Sequence, residues 1–314
     1  MRLMAEGRLG REIALTCRGR IDGAGTQAIA IISATELARI AGCRYWHSPF
    51  STISHAIDDP ESWAKRWERF LNLGHGETPA PPDAEPVSLA AVVRDPDAFA
   101  GLPILIGEPR FHSPPGLGSP VLEGLRAELR AKYRIESKAE LPLHRGPDGS
   151  LTAAIHVRRG DVSATKHAER YVADELLLRS IARLRAVVAP TGRPLHVNFY
   201  SEGVPDDFRA FAEAGCRLHI SADALETFRN LVVADILVRA PGNFSRLAGL
   251  LSEGIVIGLT KNSPRLSNWV SRRVNGDLYV RPLRQALLAR ANWLERRKYY
   301  VRRWWRRRIP RIDL

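Results

Sequence analysis

The residues best suited to chemistry stand in the run Ile155-His156-Val157-Arg158-Arg159-Gly160-Asp161, where an apolar stretch gives way to charge as at the end of a strand. Successive strand residues point to opposite faces, so one of the two arginines can face a crevice at the strand's carboxyl end while the other faces away. A guanidinium presents a planar fork of donors that suits the oxygens of a diphosphate. The plainer alternative is a solvated rim of local ion pairs. Two carboxylates stand beside these segments: Asp22, next to Gly23-Ala24-Gly25, and Asp161, at the end of the arginine run. An aspartate beside a glycine loop commonly caps a turn or a helix. His47, His55 and His75 lack metal-ligand spacing, and Cys17, Cys43 and Cys216 form neither a CxxC pair nor a disulfide framework, so no metal centre is expected.

The elements that must position these residues are legible as an α/β rhythm. Ile13, Leu15 and Cys17 alternate as in a strand, the loop 20–26 follows, and a helix is expected from about Gln27 to Ala41 with Gly42 as its C-cap, then a short strand at Cys43–Trp46. Residues 49–120 carry no clear period beyond Trp63, Trp67 and Phe70, which would share one helical face and read as core. A helix near 120–134 leads to the turn Arg145–Ser150, the expected domain boundary. After it come strands at Leu151–Val157, Leu195–Tyr200, Arg217–Ile220, Ile236–Val238 and finally Ile255–Leu259. Helices are expected between them at about Asp174–Ala189, Asp206–Ala214, Thr227–Ala234 and Ser245–Ser252. Such alternation predicts parallel sheets of the Rossmann type, whose ligands gather at the carboxyl ends of the strands.

With 314 residues, 45% of them hydrophobic and 26% charged, the chain has room for two ordinary globular domains, which excludes a coiled coil, a collagen or a wholly disordered polymer. No run approaches the roughly 20 apolar residues of a membrane span, and the first residues lack a secretory h-region, so a cytoplasmic protein is expected. The net charge of +13 is uneven: residues 284–314 hold eleven Lys and Arg against Glu295 and Asp313. On a helical wheel Leu287, Ala291, Leu294, Val301 and Trp305 share a stripe flanked by Trp293, Tyr300 and Trp304. A basic amphipathic helix of this kind suits an anionic membrane surface; packing on the body is the alternative, and nucleic acid is the least favoured partner because the charge forms a tail instead of a groove.

The segment His156-Val157-Arg158-Arg159-Gly160-Asp161 resembles the HxRRxD/N motif of the GDP-fucose-dependent fucosyltransferases, the superfamily of α1,2-, α1,6- and protein O-fucosyltransferases and the bacterial nodulation fucosyltransferase. Three further segments are similar in order: Gly23-Ala24-Gly25-Thr26-Gln27 to the N-terminal GxGNQ loop, Phe199-Tyr200-Ser201-Glu202 to a strand ending in Ser-Asp/Glu, and Ala234-Asp235-Ile236-Leu237-Val238 through Asn243-Phe244-Ser245 to the ADxLV…SxFS segment. The resemblance covers about 23–258. It departs from the pattern at Thr26, where the family has Asn, and at Gly242-Asn243, where the family has a Ser pair. It implies two Rossmann-like domains facing a cleft in a GT-B type architecture: 1–147 on the acceptor side, 148–283 binding the nucleotide sugar, and 284–314 as the basic tail. It also implies transfer of a fucosyl or related 6-deoxyhexosyl group from a GDP-sugar to a glycan or lipid-linked acceptor, with inversion and with neither metal nor cofactor. Under it Arg158 holds the β-phosphate and neutralises the departing GDP, and an inverting transfer needs a carboxylate within hydrogen-bond reach of the acceptor hydroxyl, for which Asp22 and Asp161 both remain open. His156 and Arg159 help hold the nucleotide, as do Gly23, Gly25, Gln27 and Glu202; Asp235 lies near guanine or ribose, and Asn243, Phe244 and Ser245 cap a phosphate through backbone N–H groups. The acceptor expected is a bacterial surface-polysaccharide intermediate at the inner membrane face. A non-catalytic nucleotide- or glycan-binding relative of the fold is the alternative.

Overall fold

The computed structural model describes residues 13–54, 56, 59–100, 102–109, 120–259, 266–271 and 287, and the chain divides into two units. The first comprises 1–140 with 264–266, the second 141–263 with 267–314. The division falls just ahead of the Arg145–Ser150 turn because the segment before that turn is already tied to the second unit. Asn230 donates to the carbonyl of Pro142, Arg229 to that of Leu141, and the Asn230 Oδ1 accepts the His144 amide.

In the first unit the apolar alternation at Ile13–Cys17 becomes β1, followed by α1 (Ala24–Ala41), β2 (Arg44–His47), α2 (Pro60–Leu71), a two-residue β3 (Thr78–Pro79), α3 (Leu89–Arg94), β4 (Ile104–Glu108) and α4 (Pro120–Ile135). The sheet is parallel with order β3-β2-β1-β4. α1 is rich in alanine and isoleucine and buried over most of its surface, as a helix against a parallel sheet must be. It stops where Gly42 adopts φ 68°, a left-handed cap that lets the Gly42 and Cys43 amides reach the carbonyls of Arg39 and Ala38. Trp63, Trp67 and Phe70 meet edge to face along α2, with Tyr133 of α4 on Phe70, so this aromatic face is core. β4, within the stretch that carried no clear period, pairs with β1 along its whole length.

The second unit repeats the theme: β5 (Leu151–His156), α5 (Asp174–Val188), β6 (Leu195–Ser201), α6 (Arg209–Glu213), β7 (Cys216–Ile220), α7 (Ala224–Val233), β8 (Ile236–Arg239), α8 (Asn243–Leu251), β9 (Ile255–Gly258) and β10 (Trp269–Ser271). All six strands are parallel, in the order β7-β6-β5-β8-β9-β10. Numbered within the unit this is 3-2-1-4-5-6, the strand order of a Rossmann fold, with its reversal between β5 and β8. Two expectations are corrected here. Ile255–Leu259 is not the last strand, since β10 pairs outside it, and the helix at 206–214 is a short 3₁₀ turn followed by the five residues of α6. Ile155 and Val238 face a core built with Leu177, Ile181 and Leu184 of α5 and with Phe199 and Phe211. Alternation turns His156 and Arg239 to the opposite face, under α7 and α8. Of the tail 284–314 only Leu287 lies among the described residues; it is helical and packs in the second unit's core.

Candidate active site

The candidate site grows from the ends of β5 and β8, where the strand order reverses. His156 and Arg239, the last residues of those strands, are register partners, and the pairing runs one step further through the Ala240 amide and the His156 carbonyl. Val157 is fixed on its other side by its amide to the Tyr200 carbonyl and by Ser201 Oγ, which donates to its carbonyl at 2.9 Å. Arg158 therefore leaves a backbone anchored on both flanks, at the carboxyl edge of the sheet. The two arginines diverge. Arg158 makes a two-pronged ion pair with Asp161, both contacts at 2.5 Å, and Glu202 adds a second negative field. Arg159 instead donates to the Val172 carbonyl and to Asp174, and lies over the Tyr171 ring, so it pins the entry to α5.

His156 is stacked on Phe244 of α8, centroids 5.2 Å apart. Burial, followed by the charges of Arg158 and Arg239, pushes its pKa down to about 4, so at neutral pH it is an uncharged imidazole with one donor and one acceptor nitrogen. Asn243 and Phe244 open α8 behind Gly242, a cap with no side-chain hydrogen bond and no acidic residue in the turn after it. Ser245 follows, but its side chain is fully buried toward the Ala240 carbonyl, so only its backbone could serve a ligand. Glu202 follows β6 directly and lies beside Gly160, where an added Cβ would meet its Oε2 at 2.2 Å. Thus His156, Arg158, Asp161 and Glu202 gather with Asn243 and Phe244 at one edge of one sheet.

Asp235 does not join them. It precedes β8 and accepts the Thr152 amide at 2.9 Å, at the amino end of the same strands. In a parallel sheet that is the opposite edge, so its contact with guanine or ribose is replaced by a tie between β5 and β8. Arg159 is likewise turned to a structural contact.

Asp22, Gly23, Gly25 and Gln27 lie in the first unit. Gly23 is the N-cap of α1 with φ −63°, Gly25 is buried within the helix, and both Gln27 donations, to the carbonyls of Asp22 and Thr52, are 2.6 Å. The Gln27 amide thus staples loops. Asp22 is held by Arg20 through two contacts. A cavity of about 460 Å³ opens at the carboxyl ends of β1 and β2, lined by Arg18, Arg20, Gln27, Ser48 and Phe50 among others. Arg18 reaches Ser48 and the carbonyls of Ala84 and Pro81. Sequence reading passed over Arg18 and Ser48; their only signal was their place just beyond β1 and β2.

Also unanticipated is a stacked network in the second unit. His144 lies against His219 with centroids 3.8 Å apart, pairs with Glu226 at 2.8 Å and meets Tyr200 Oη at 2.9 Å. His219 is pushed to about 4, by burial first and then by His144 and Arg217. His156 and His219 both have folded pKa values below the 6.5 of the unfolded chain, so the unfolded chain binds more protons between the two values. Their stabilisation is therefore complete above pH 6.5 and is lost as pH falls toward 4. Urea midpoints should decline over that window, and His219→Gln should flatten the decline; an unchanged slope would show that folding does not lower the His219 pKa.

Among the described residues no cluster of three or more His, Cys, Asp or Glu is arranged to hold a metal ion, and no helix is long and apolar enough to cross a membrane. No family model matches the chain, and no curated protein matches it. Solved structures similar to it include POFUT1 in complex with GDP, at 11% identity and TM-score 0.38 over 83% of this chain and 99% of that one. The fucosyltransferase NodZ from Bradyrhizobium is 13% identical, with TM-score 0.40 over 77% and 94% of the two chains. The E. coli heptosyltransferase WaaC with ADP-2-deoxy-2-fluoro heptose is 13% identical, with TM-score 0.40 over 89% and 99%.

Proposed function

We propose that the chain is a glycosyltransferase that moves a fucosyl or related 6-deoxyhexosyl group from a GDP-sugar to a hydroxyl of a glycan, with inversion and with arginine charge in place of a metal ion. One observation carries this reading: Arg158 of the HxRRxD run stands at the carboxyl end of β5, at the reversal point of a 3-2-1-4-5-6 sheet, two residues after His156, which stacks on Phe244 in the opening turn of α8. Ligands of such sheets bind in that crevice. In the free protein Arg158 is engaged by Asp161, whose carboxyl the guanidinium holds below its ordinary pKa. A carboxylate so held is a weak base. When a diphosphate takes over the Arg158 fork, Asp161 is released and its basicity recovers, which couples donor binding to removal of the acceptor's proton. Arg158, now on the diphosphate, stabilises the negative charge that grows as GDP departs. Neutral His156 contributes a hydrogen bond without adding repulsive positive charge. The cavity of the first unit, with Arg20 in its lining, is the acceptor side in this reading, and Asp22, paired with Arg20, is the rival base. The basic tail suits an acceptor presented at an anionic membrane surface.

Calorimetric titration with GDP, GDP-fucose, ADP and UDP tests the donor: binding selective for guanine supports the reading, and absence of binding by every GDP compound removes it. Asp161→Asn separates the roles of that residue. Freed from a half-exposed ion pair worth at most about 1 kcal/mol, Arg158 should bind GDP up to about fivefold more tightly, while transfer to an acceptor should be lost. If transfer persists and Asp22→Asn abolishes it, Asp22 is the base.

A further inference from the structure

Arg239 is 4% exposed, yet its Nε and Nη1 are buried with no hydrogen-bonding partner among the described residues. Buried guanidinium groups are ordinarily paired with carboxylates, because an uncompensated charge away from water is costly. Here the surroundings add positive charge instead. Arg246, in the opening turns of α8, lies close enough to lower the Arg239 pKa together with burial, to about 10, which still leaves Arg239 charged at neutral pH. Arg158 and Arg239 both depress His156. The one compensating contact is the Trp269 ring, 5.2 Å from the guanidinium carbon, a cation–π interaction weaker than a charge-assisted hydrogen bond. Arg246 belongs to α8, whose cap carries no side-chain hydrogen bond and whose first turn holds no acidic residue. The Arg239 guanidinium and the neutral His156 imidazole thus lie near this helix, and no carboxylate among the described residues pairs with Arg239.

The geometry points to Arg239 as the floor of a phosphate subsite, a binding residue additional to Arg158, which together with the start of α8 takes the diphosphate group of a nucleotide. This deepens the donor reading and rests on it for the guanosine part, but the diphosphate part stands on Arg239 itself. Arg158 enters from the exposed rim, where a carboxylate holds it; Arg239 is buried, its backbone paired with β5 and β9 and its guanidinium set against the Trp269 ring. An anion that reaches Arg239 meets a cation already fixed against Trp269.

The test titrates the full chain, wild type and Arg239→Met, with GDP and separately with inorganic pyrophosphate, and records thermal unfolding with and without each. Methionine keeps the volume and removes the charge. The expected result is a loss of tenfold or more in affinity for both probes, with an unliganded melting temperature equal to or above that of the wild type. Arg239→Lys, which keeps the charge and loses the fork, should fall between them and serves in place of Arg239→Met should that variant fail to fold. Unchanged affinity for both probes in a folded variant overturns the subsite, as does loss of stability without loss of affinity. Binding of pyrophosphate that depends on Arg239, with no preference for GDP, would uphold the subsite and remove the guanosine donor. GDP binding that depends on Arg158 but not on Arg239 would do the reverse.

Discussion

Arg158→Ala should weaken GDP binding by roughly 100-fold, because two charge-assisted hydrogen bonds of about 1.5 kcal/mol or more each are lost. The chemical step should slow by a further factor of about 100 to 1,000, the usual effect of removing a preorganised donor that faces charge as it develops. The fold should persist. Arg158 is about one-third exposed, and its pair with Asp161 is the kind of half-exposed contact that contributes little to stability. Arg159→Ala provides the contrast. That residue ties Val172 and Asp174 to the loop after β5, so its loss should lower the melting temperature and affect GDP only through the loosened loop. Equal GDP affinity in Arg158→Ala and wild type would mean that the ion pair with Asp161 is the whole role of Arg158.

The largest structural effect is expected from Gly254→Ala. Gly254 sits in the turn between α8 and β9, and a Cβ there would stand 2.2 Å from the Ala234 carbonyl oxygen and 2.9 Å from that of Asp235. Both are backbone atoms of the strand entry that the Ile255 amide also grips, so neither can swing aside as a side chain would. Relief requires β8 and β9 to separate, and the expected cost is about 3 kcal/mol or more. For a unit of this size that is a fall of roughly 10 °C in melting temperature. Because the same strands end at Arg239 and Gly258, register partners, weaker anion binding should accompany it. Gly124→Ala is the matched control with the opposite sign. A Cβ at Gly124 of α4 meets nothing within 4 Å, and alanine there should add up to about 1 kcal/mol through helix propensity. If both variants melted alike, close packing at Gly254 would not be what restricts it to glycine.

Much of this architecture is set by local sequence. The alternation at Ile13–Cys17, the left-handed glycine after Ala41, the Trp63 to Phe70 spacing and most of the strand and helix succession from Leu151 onward are short-range signals that form the expected elements, apart from the stretch 206–214. The HxRRxD run likewise announces a strand end with an arginine free to turn outward. β4 escaped because Ile104–Glu108 is a brief apolar run next to Pro103, and only its pairing with β1 makes it a strand. β10 is shorter still, three residues that owe their identity to β9.

What the tertiary structure alone decided is which ends of the strands share an edge. Asp235 and Arg239 are four residues apart, yet a parallel sheet sends them to opposite edges, one to tie β5 and the other to the reversal point. Within the chain Arg239 is an ordinary charged residue after Ile-Leu-Val. It becomes a buried, unpaired cation only because β5 and β9 flank it in register and Trp269, thirty positions onward, closes over it. Burial and electric field are sums over neighbours distant in sequence, and no local pattern encodes them. Residue type and spacing determined what this protein has to work with; the strand order determined which of those groups meet.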